Sequence, residues 1–275
     1  VRRLELDGSR ATRELLDWLP PDFDPDGFDL DRVNRGLEDS PLPALELWHP
    51  DLGALLMAGG SEWADLFRVA ADGRSELTGD DLAQVMRPYQ VLLRTVGAGL
   101  KLTAAGYLPL RVVLALYDEL GLDEDWNGRG AREERTPSVL RLRQTATALG
   151  LVRKTNGRLS ATQNGKKLQD DPAGLFAHVR SRLPLGRRAD EKDAGLLALL
   201  FTAAGQNWWR GRDEAAALFG ELGWYVPEGQ HLDIALGHAA RPTLDVLLQL
   251  AGDDPIVGGT GRWPRVARAL LRRGN

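Results

Sequence analysis

The sequence predicts a mainly helical protein that holds a winged helix-turn-helix-like module with a small β-wing, followed by a C-terminal helical domain. Three observations lead there. Apolar residues recur at three- and four-residue spacing over most of the chain, the mark of amphipathic helices. Strand-like alternation is scarce. The run from Arg135 to Gly165 reads as a capped basic helix, a tight two-stranded turn and a further helix start, which is the order of the back half of a winged helix.

Taken in chain order, residues 12 to 19 form a short amphipathic pattern stopped by Pro20-Pro21, and Asp29 or Asp31 can cap a helix through Val33 and Leu37. A break at Ser40-Pro-Leu-Pro43 precedes helical patterns near 43 to 58, 61 to 71 and 79 to 96. Pro109 suits a first helical turn, so Leu110 to Leu120 is expected as a helix closed by Gly121. After Pro184 the expected helices are Asp193 to Ala204, Asp213 to Leu222, His231 to Ala239, Thr243 to Leu250 and Pro264 to Arg272. These elements group into an acidic segment (1–42), a helical segment (43–106), the winged-helix-like module (107–184) and the helical domain (185–275).

Two passages resemble each other. Gly99-Leu-Lys-Leu-Thr-Ala-Ala-Gly106 and Gly157-Arg-Leu-Ser-Ala-Thr-Gln-Asn-Gly165 each run from a glycine turn through a short extended piece to a threonine able to cap a helix. Shared turn chemistry explains the likeness better than a duplication. The second passage has the richer context. Thr136 is placed as an N-cap and Pro137 at the first helical position, predicting a helix from Pro137 to about Leu149. Its Val139, Leu142, Ala146 and Leu149 gather on one face, with Arg141, Gln144, Thr145 and Ala148 opposite. Leu151-Val-Arg-Lys and Arg158-Leu-Ser-Ala can then pair as strands around Thr155-Asn-Gly157.

Charge is distributed unevenly behind a net value of -4. Residues 14 to 31 carry seven acids and no Lys or Arg, whereas residues 128 to 168 hold ten bases against two acids, a local net of +8. A basic stretch in an acidic chain attracts phosphate. The predicted nucleic-acid-binding residues are therefore Ser138, Arg141, Arg143, Gln144 and Thr145 on the helix, and Lys154, Asn156 and Arg158 on the wing. On such a helix Arg reads guanine, Gln reads adenine, and a serine near the N-terminus meets phosphate. The alternative is a module that docks a protein partner or a second copy of the chain; an uncharacterised enzyme is the third reading.

Other chemistry finds less support. Asp22, Asp24, Asp26 and Gly27 open like a calcium loop, but Pro25 stiffens its fourth position and Val33 replaces the bidentate Glu at the twelfth, so no metal is expected. His49, His178, His231 and His238 lack the one-turn spacing of paired ligands, and no nucleophile elbow, phosphate loop or dinucleotide fingerprint occurs. No catalytic residue or cofactor is expected. Trp208-Trp209 can stack a base or seal a helical core. The absence of cysteine and of a long apolar run leads to the cytoplasm as the expected compartment, with no membrane partner. Arg241-Pro-Thr-Leu-Asp-Val-Leu-Leu-Gln-Leu-Ala-Gly252 echoes the capped basic helix, with Asp245 where bases stood.

A family resemblance adds to these readings. Leu15-Leu-Asp-Trp-Leu-Pro-Pro-Asp-Phe-Asp-Pro-Asp-Gly-Phe-Asp-Leu-Asp-Arg-Val-Asn34 resembles the closing segment of the domain that defines the Ri-plasmid open-reading-frame-three-like family. Leu102-Thr-Ala-Ala-Gly-Tyr-Leu108, and Thr136-Pro-Ser-Val-Leu-Arg-Leu-Arg143 through Gly157-Arg-Leu159, resemble the long C-terminal extension of its actinobacterial-type members. The family brings no established activity or catalytic residues. The resemblance implies that the acidic N-terminus, which starts without methionine, is the end of an upstream domain.

Overall fold

Local signals set most helix ends. The computed structural model describes residues 44–58, 60–122, 132–252 and 262–273, all within the unit Pro43–Asn275. The expected helices before residue 40 and the calcium-like loop lie outside the described residues. Among the described residues the fold is mainly helical with one small antiparallel sheet. Helices α1 (Pro50–Ala58), α2 (Gly60–Ala71) and α3 (Gly79–Val96) come first. Thr78 begins α3 with a reciprocal cap: its hydroxyl accepts from Asp81 N at 3.2 Å, and the Asp81 carboxylate accepts from Thr78 N at 2.8 Å. Strand β1 (Leu100–Lys101) leads to α4 (Leu110–Leu120), which Gly121 ends in the left-handed conformation as predicted.

Next come α5 (Pro137–Ala148), β2 (Val152–Thr155) and β3 (Arg158–Ala161). The sheet order is β1-β3-β2, antiparallel throughout, with Leu100 opposite Leu159 and Thr155 opposite Arg158. Asn156 and Gly157 carry φ of 49° and 70°, the pair of positive values that a two-residue hairpin needs to follow the strand twist. The two similar glycine-led passages are thus neighbouring strands of one sheet. Their threonines differ. Thr162 Oγ1 accepts from Gly165 N at 3.0 Å and caps α6 (Gln163–Leu168), whereas Thr103 Oγ1 accepts from Tyr107 N at 3.0 Å and closes a turn, so the helix cap expected at Thr103 is not formed. Gly165 is required by close approach: a Cβ there would stand 2.2 Å from the Leu151 carbonyl oxygen.

The remaining helices are α7 (Pro172–Arg182), α8 (Ala189–Ala203), α9 (Arg212–Glu221), α10 (Leu232–Ala251) and α11 (Arg262–Leu271). Helix α7 was not predicted from the sequence, although Asp171 caps it through Gly174 N at 2.9 Å and Pro172 opens it. Every residue of α8 from Ala194 to Ala203 is buried, as expected of a helix apolar on all sides. It packs against α10, α11, α9 and α2. The two helices expected on either side of Pro242 are one continuous helix, α10, with the proline inside it. Its neighbours explain how it continues: α8, α9 and α11 pack along it, as do α3 and α5, and this burial outweighs the local cost of the proline. Contacts of α3 with α7 and α10 cross residues 106 and 184. No helix among the described residues is long and apolar enough to cross a membrane.

Two polar clusters tie this packing together. The Glu133 side chain is fully buried; it accepts from Leu108 N at 2.6 Å and from Arg143 Nε, joining the approach to α4 with α5. His49 Nε2 faces the Leu183 carbonyl at 3.1 Å, while Asp51 N donates to its Nδ1 at 3.3 Å. That arrangement suits the neutral ring, which donates from one nitrogen and accepts at the other.

Replacing Glu133 with alanine is expected to destabilise the fold by about 3–5 kcal/mol, since it strands the Arg143 guanidinium and the Leu108 amide; denaturant titration of Glu133→Ala checks this. Burial lowers the His49 pKa below its ordinary 6.5, against smaller opposing effects of Asp51 and the Leu183 carbonyl. The unfolded chain then binds more protons just below pH 6.5, so stability falls as pH drops through that window and recovers as it rises. Unfolding midpoints at about pH 5 and about pH 7.5 should differ less in His49→Gln than in the parent.

Candidate nucleic-acid interface

Helix α5 buries the face its periodicity predicts: Val139, Leu142, Ala146 and Leu149 are all inside. Thr136 stands at the N-cap position, but its hydroxyl donates to the Arg132 carbonyl at 3.2 Å instead of capping the helix. The flank expected to face solvent is occupied as well. Thr145 is only 4% exposed and donates to the Arg141 and Leu142 carbonyls at 2.9 and 3.1 Å. This corrects its expected place among outward residues. The reason is that two distant helices meet that flank of α5: α3, which carries Tyr89, and α10, which brings Asp245 to Arg141. Beside Thr145 lies Tyr89, whose phenol burial pushes well above its ordinary range, as a dry interior requires.

The two arginines of α5 are engaged within the chain. Arg141 pairs with Asp245 of α10 at 3.3 Å, and the same carboxylate takes Arg241 at 2.7 Å. Only 24% of the Arg141 side chain and 17% of that of Asp245 are exposed, so water screens this pair incompletely. Arg143 lies against buried Glu133. Neither guanidinium can reach a base edge while these pairs hold. Gln144, Thr147 and Ala148 form the open strip of α5, and Ser138 is half-buried near its start.

The sheet is different. Lys101, Arg153, Lys154, Thr155, Asn156 and Arg158 are all exposed. Residues opposite one another share a sheet face and successive residues alternate. The register Lys101 with Arg158, Thr155 with Arg158 and Arg153 with Ser160 therefore puts Lys101, Arg153 and Arg158 on one face, with the hydroxyls of Thr155 and Ser160 between them. Val152, Leu159 and Ala161 turn inward and are buried. Lys154 belongs to that inner side but lies at the sheet margin, its Nζ against Gly106.

Among the described residues none of these four cations makes an ion pair. Arg158 donates to the Gly99 carbonyl at 2.7 Å, which holds its head over the start of β1 without neutralising it. Like charges directly opposite, such as Lys101 and Arg158, repel and cost stability. An anion laid across the face removes that cost.

Of the predicted site residues, the structure brings Asn156 and Arg158 together at the hairpin, leaves Lys154 and Gln144 open, half-buries Ser138 and commits Arg141, Arg143 and Thr145 to internal contacts. Sequence reasoning overlooked Lys101 and Arg153 as members of the cluster. The likeness of the Gly99 and Gly157 passages was the available signal for Lys101, since it marked a second strand of the same sheet.

The histidines do not converge: His178 Nε2 meets the Leu149 carbonyl at 2.9 Å at the end of α5, while His231 and His238 are exposed. Compared with protein-family models, curated proteins and solved structures, the chain has no match.

Proposed function

We propose that the segment from α3 through β3 is a winged-helix module that binds nucleic acid along its phosphate backbone with its sheet face and hairpin, not by inserting α5 into a groove. The element order supports this: helix, strand, two helices, then a hairpin whose second strand pairs with the first strand. The observation that carries the binding proposal is the face bearing Lys101, Arg153 and Arg158 with no acid paired to it among the described residues. Lys154 and Asn156 extend the contact to the hairpin end. Phosphate contacts fix position and add affinity without reading bases. The binding is therefore weakly selective for sequence and strongly dependent on salt.

A second reading has its own observation. The α5 flank is already used for protein packing against α10, so the module also suits a purely architectural role that joins the C-terminal helices to a partner protein.

Anisotropy titrations of labelled duplex DNA across a salt series separate the two readings. The parent should bind in the micromolar range at low salt, with log K falling by roughly 0.9 per phosphate contact for each unit of log salt. Replacing Lys101, Arg153 and Arg158 together by alanine should reduce the slope by roughly 2–3. Arg141→Ala should leave the slope unchanged and lower the unfolding midpoint. Absence of binding at low salt, or an unaltered slope in the triple variant, overturns the proposal in favour of the architectural role.

A further inference from the structure

The outward side chains of the three-stranded sheet are cations and hydroxyls. Its register sets Lys101, Arg158 and Thr155 in one row across β1, β3 and β2, and puts Ser160 beside Arg153 in the next. Thr155 is exposed and Ser160 half-buried. Among the described residues, Thr155 is the one threonine whose hydroxyl makes no hydrogen bond within the chain, and the Ser160 hydroxyl makes none either. Both hydroxyls are left to a ligand or to water.

This face carries no aromatic side chain. Proteins that grip single strands stack the bases on aromatic rings, so the sheet lacks the means to hold unpaired bases. Trp208, which the sequence offered for base stacking, is 2% exposed and packs edge-on against Phe201 with ring centroids 6.1 Å apart. A duplex is therefore the better fit.

Width separates the two kinds of duplex. Neighbouring strands lie about 4.8 Å apart, so three strands set their outer backbones roughly 10 Å apart before side chains are added. The major groove of B-form DNA, about 12 Å wide, admits a helix or a two-stranded ribbon, and the minor groove is about half as wide. Helix α5 is of a size to enter the major groove, but its arginines are paired and one flank is covered. The minor groove of A-form RNA is wide and shallow and displays 2′-hydroxyls beside its phosphates. A flat face of cations interleaved with unengaged hydroxyls matches it in shape and in chemistry.

We propose that the sheet face takes double-stranded RNA in preference to duplex DNA. Lys101, Arg153 and Arg158 meet phosphates along the A-form minor groove, and the Thr155 and Ser160 hydroxyls meet 2′-hydroxyls. Each 2′-hydroxyl both donates and accepts a hydrogen bond, as the serine and threonine hydroxyls do, and deoxyribose offers no such partner. The proposal rests on the phosphate-binding reading above and adds the substrate class to it.

Anisotropy titrations of the full chain with one sequence in three forms test it: RNA duplex, DNA duplex and the RNA strand alone, at one low salt concentration. The RNA duplex should bind roughly fivefold more tightly than the DNA duplex, and the single strand more weakly than either. Thr155→Val combined with Ser160→Ala keeps every charge and suits exposed strand positions; thermal melts check that it is folded. This variant should bring RNA affinity down to the DNA value, with DNA affinity and both salt slopes unchanged. Equal or tighter binding of DNA, tighter binding of the single strand, or an RNA preference that survives in the folded double variant overturns the proposal. In each of those cases a shallower salt slope in the Lys101, Arg153 and Arg158 triple variant still upholds the phosphate-binding reading. Absence of binding to all three forms overturns both.

Discussion

The packing of α10 on two sets of helices at once is the constraint from which the remaining architecture follows. Along its 20 residues this helix meets α8, α9 and α11 as well as α3 and α5, and eight of its side chains are buried. Burying an apolar helix on more than one side supplies far more stabilisation than local propensity can withdraw, which is why Pro242 sits inside it without ending it. The same helix brings Asp245 to Arg141 and sets Thr243 against Leu185, whose amide donates to the threonine hydroxyl at 3.0 Å.

This constraint sorts the positive charge of the basic stretch into two classes. On α5 the arginines are matched one by one: Arg141 by Asp245, Arg143 by Glu133. These pairs are partly or wholly desolvated, so each group is secured by its partner and unavailable to a ligand. On the sheet, where only three short strands stand between solvent and core, Lys101, Arg153 and Arg158 are exposed and matched by no described acid. A local net charge of +8 therefore overstates what α5 offers and understates the sheet, which recruits Lys101 from well upstream.

Several elements were legible in advance because their signals are local. Pro109 and Gly121 bracket α4, Asn156-Gly157 makes the hairpin, and Pro137 opens α5, each through backbone geometry that few other residues supply. Where expectation and structure part, the cause is a neighbour distant in sequence. Thr145 sits at the margin of the apolar stripe and becomes interior because α3, with Tyr89, and α10 close over that flank. The echo between residues 136–149 and 241–252 has a physical counterpart of another kind: the two segments pack together, and the acid of one meets a base of the other. Helix α7 carried readable signals in Asp171 and Pro172 that went unread.

By itself, the sequence determined the helical class, most helix boundaries, the hairpin and the concentration of positive charge, because capping, periodicity and turn chemistry act over a few residues. Only the tertiary structure decided which cations remain open, which flank of α5 is covered, and that β1 joins the hairpin. Those outcomes depend on contacts between residues tens of positions apart, whose desolvation and pairing no local pattern encodes.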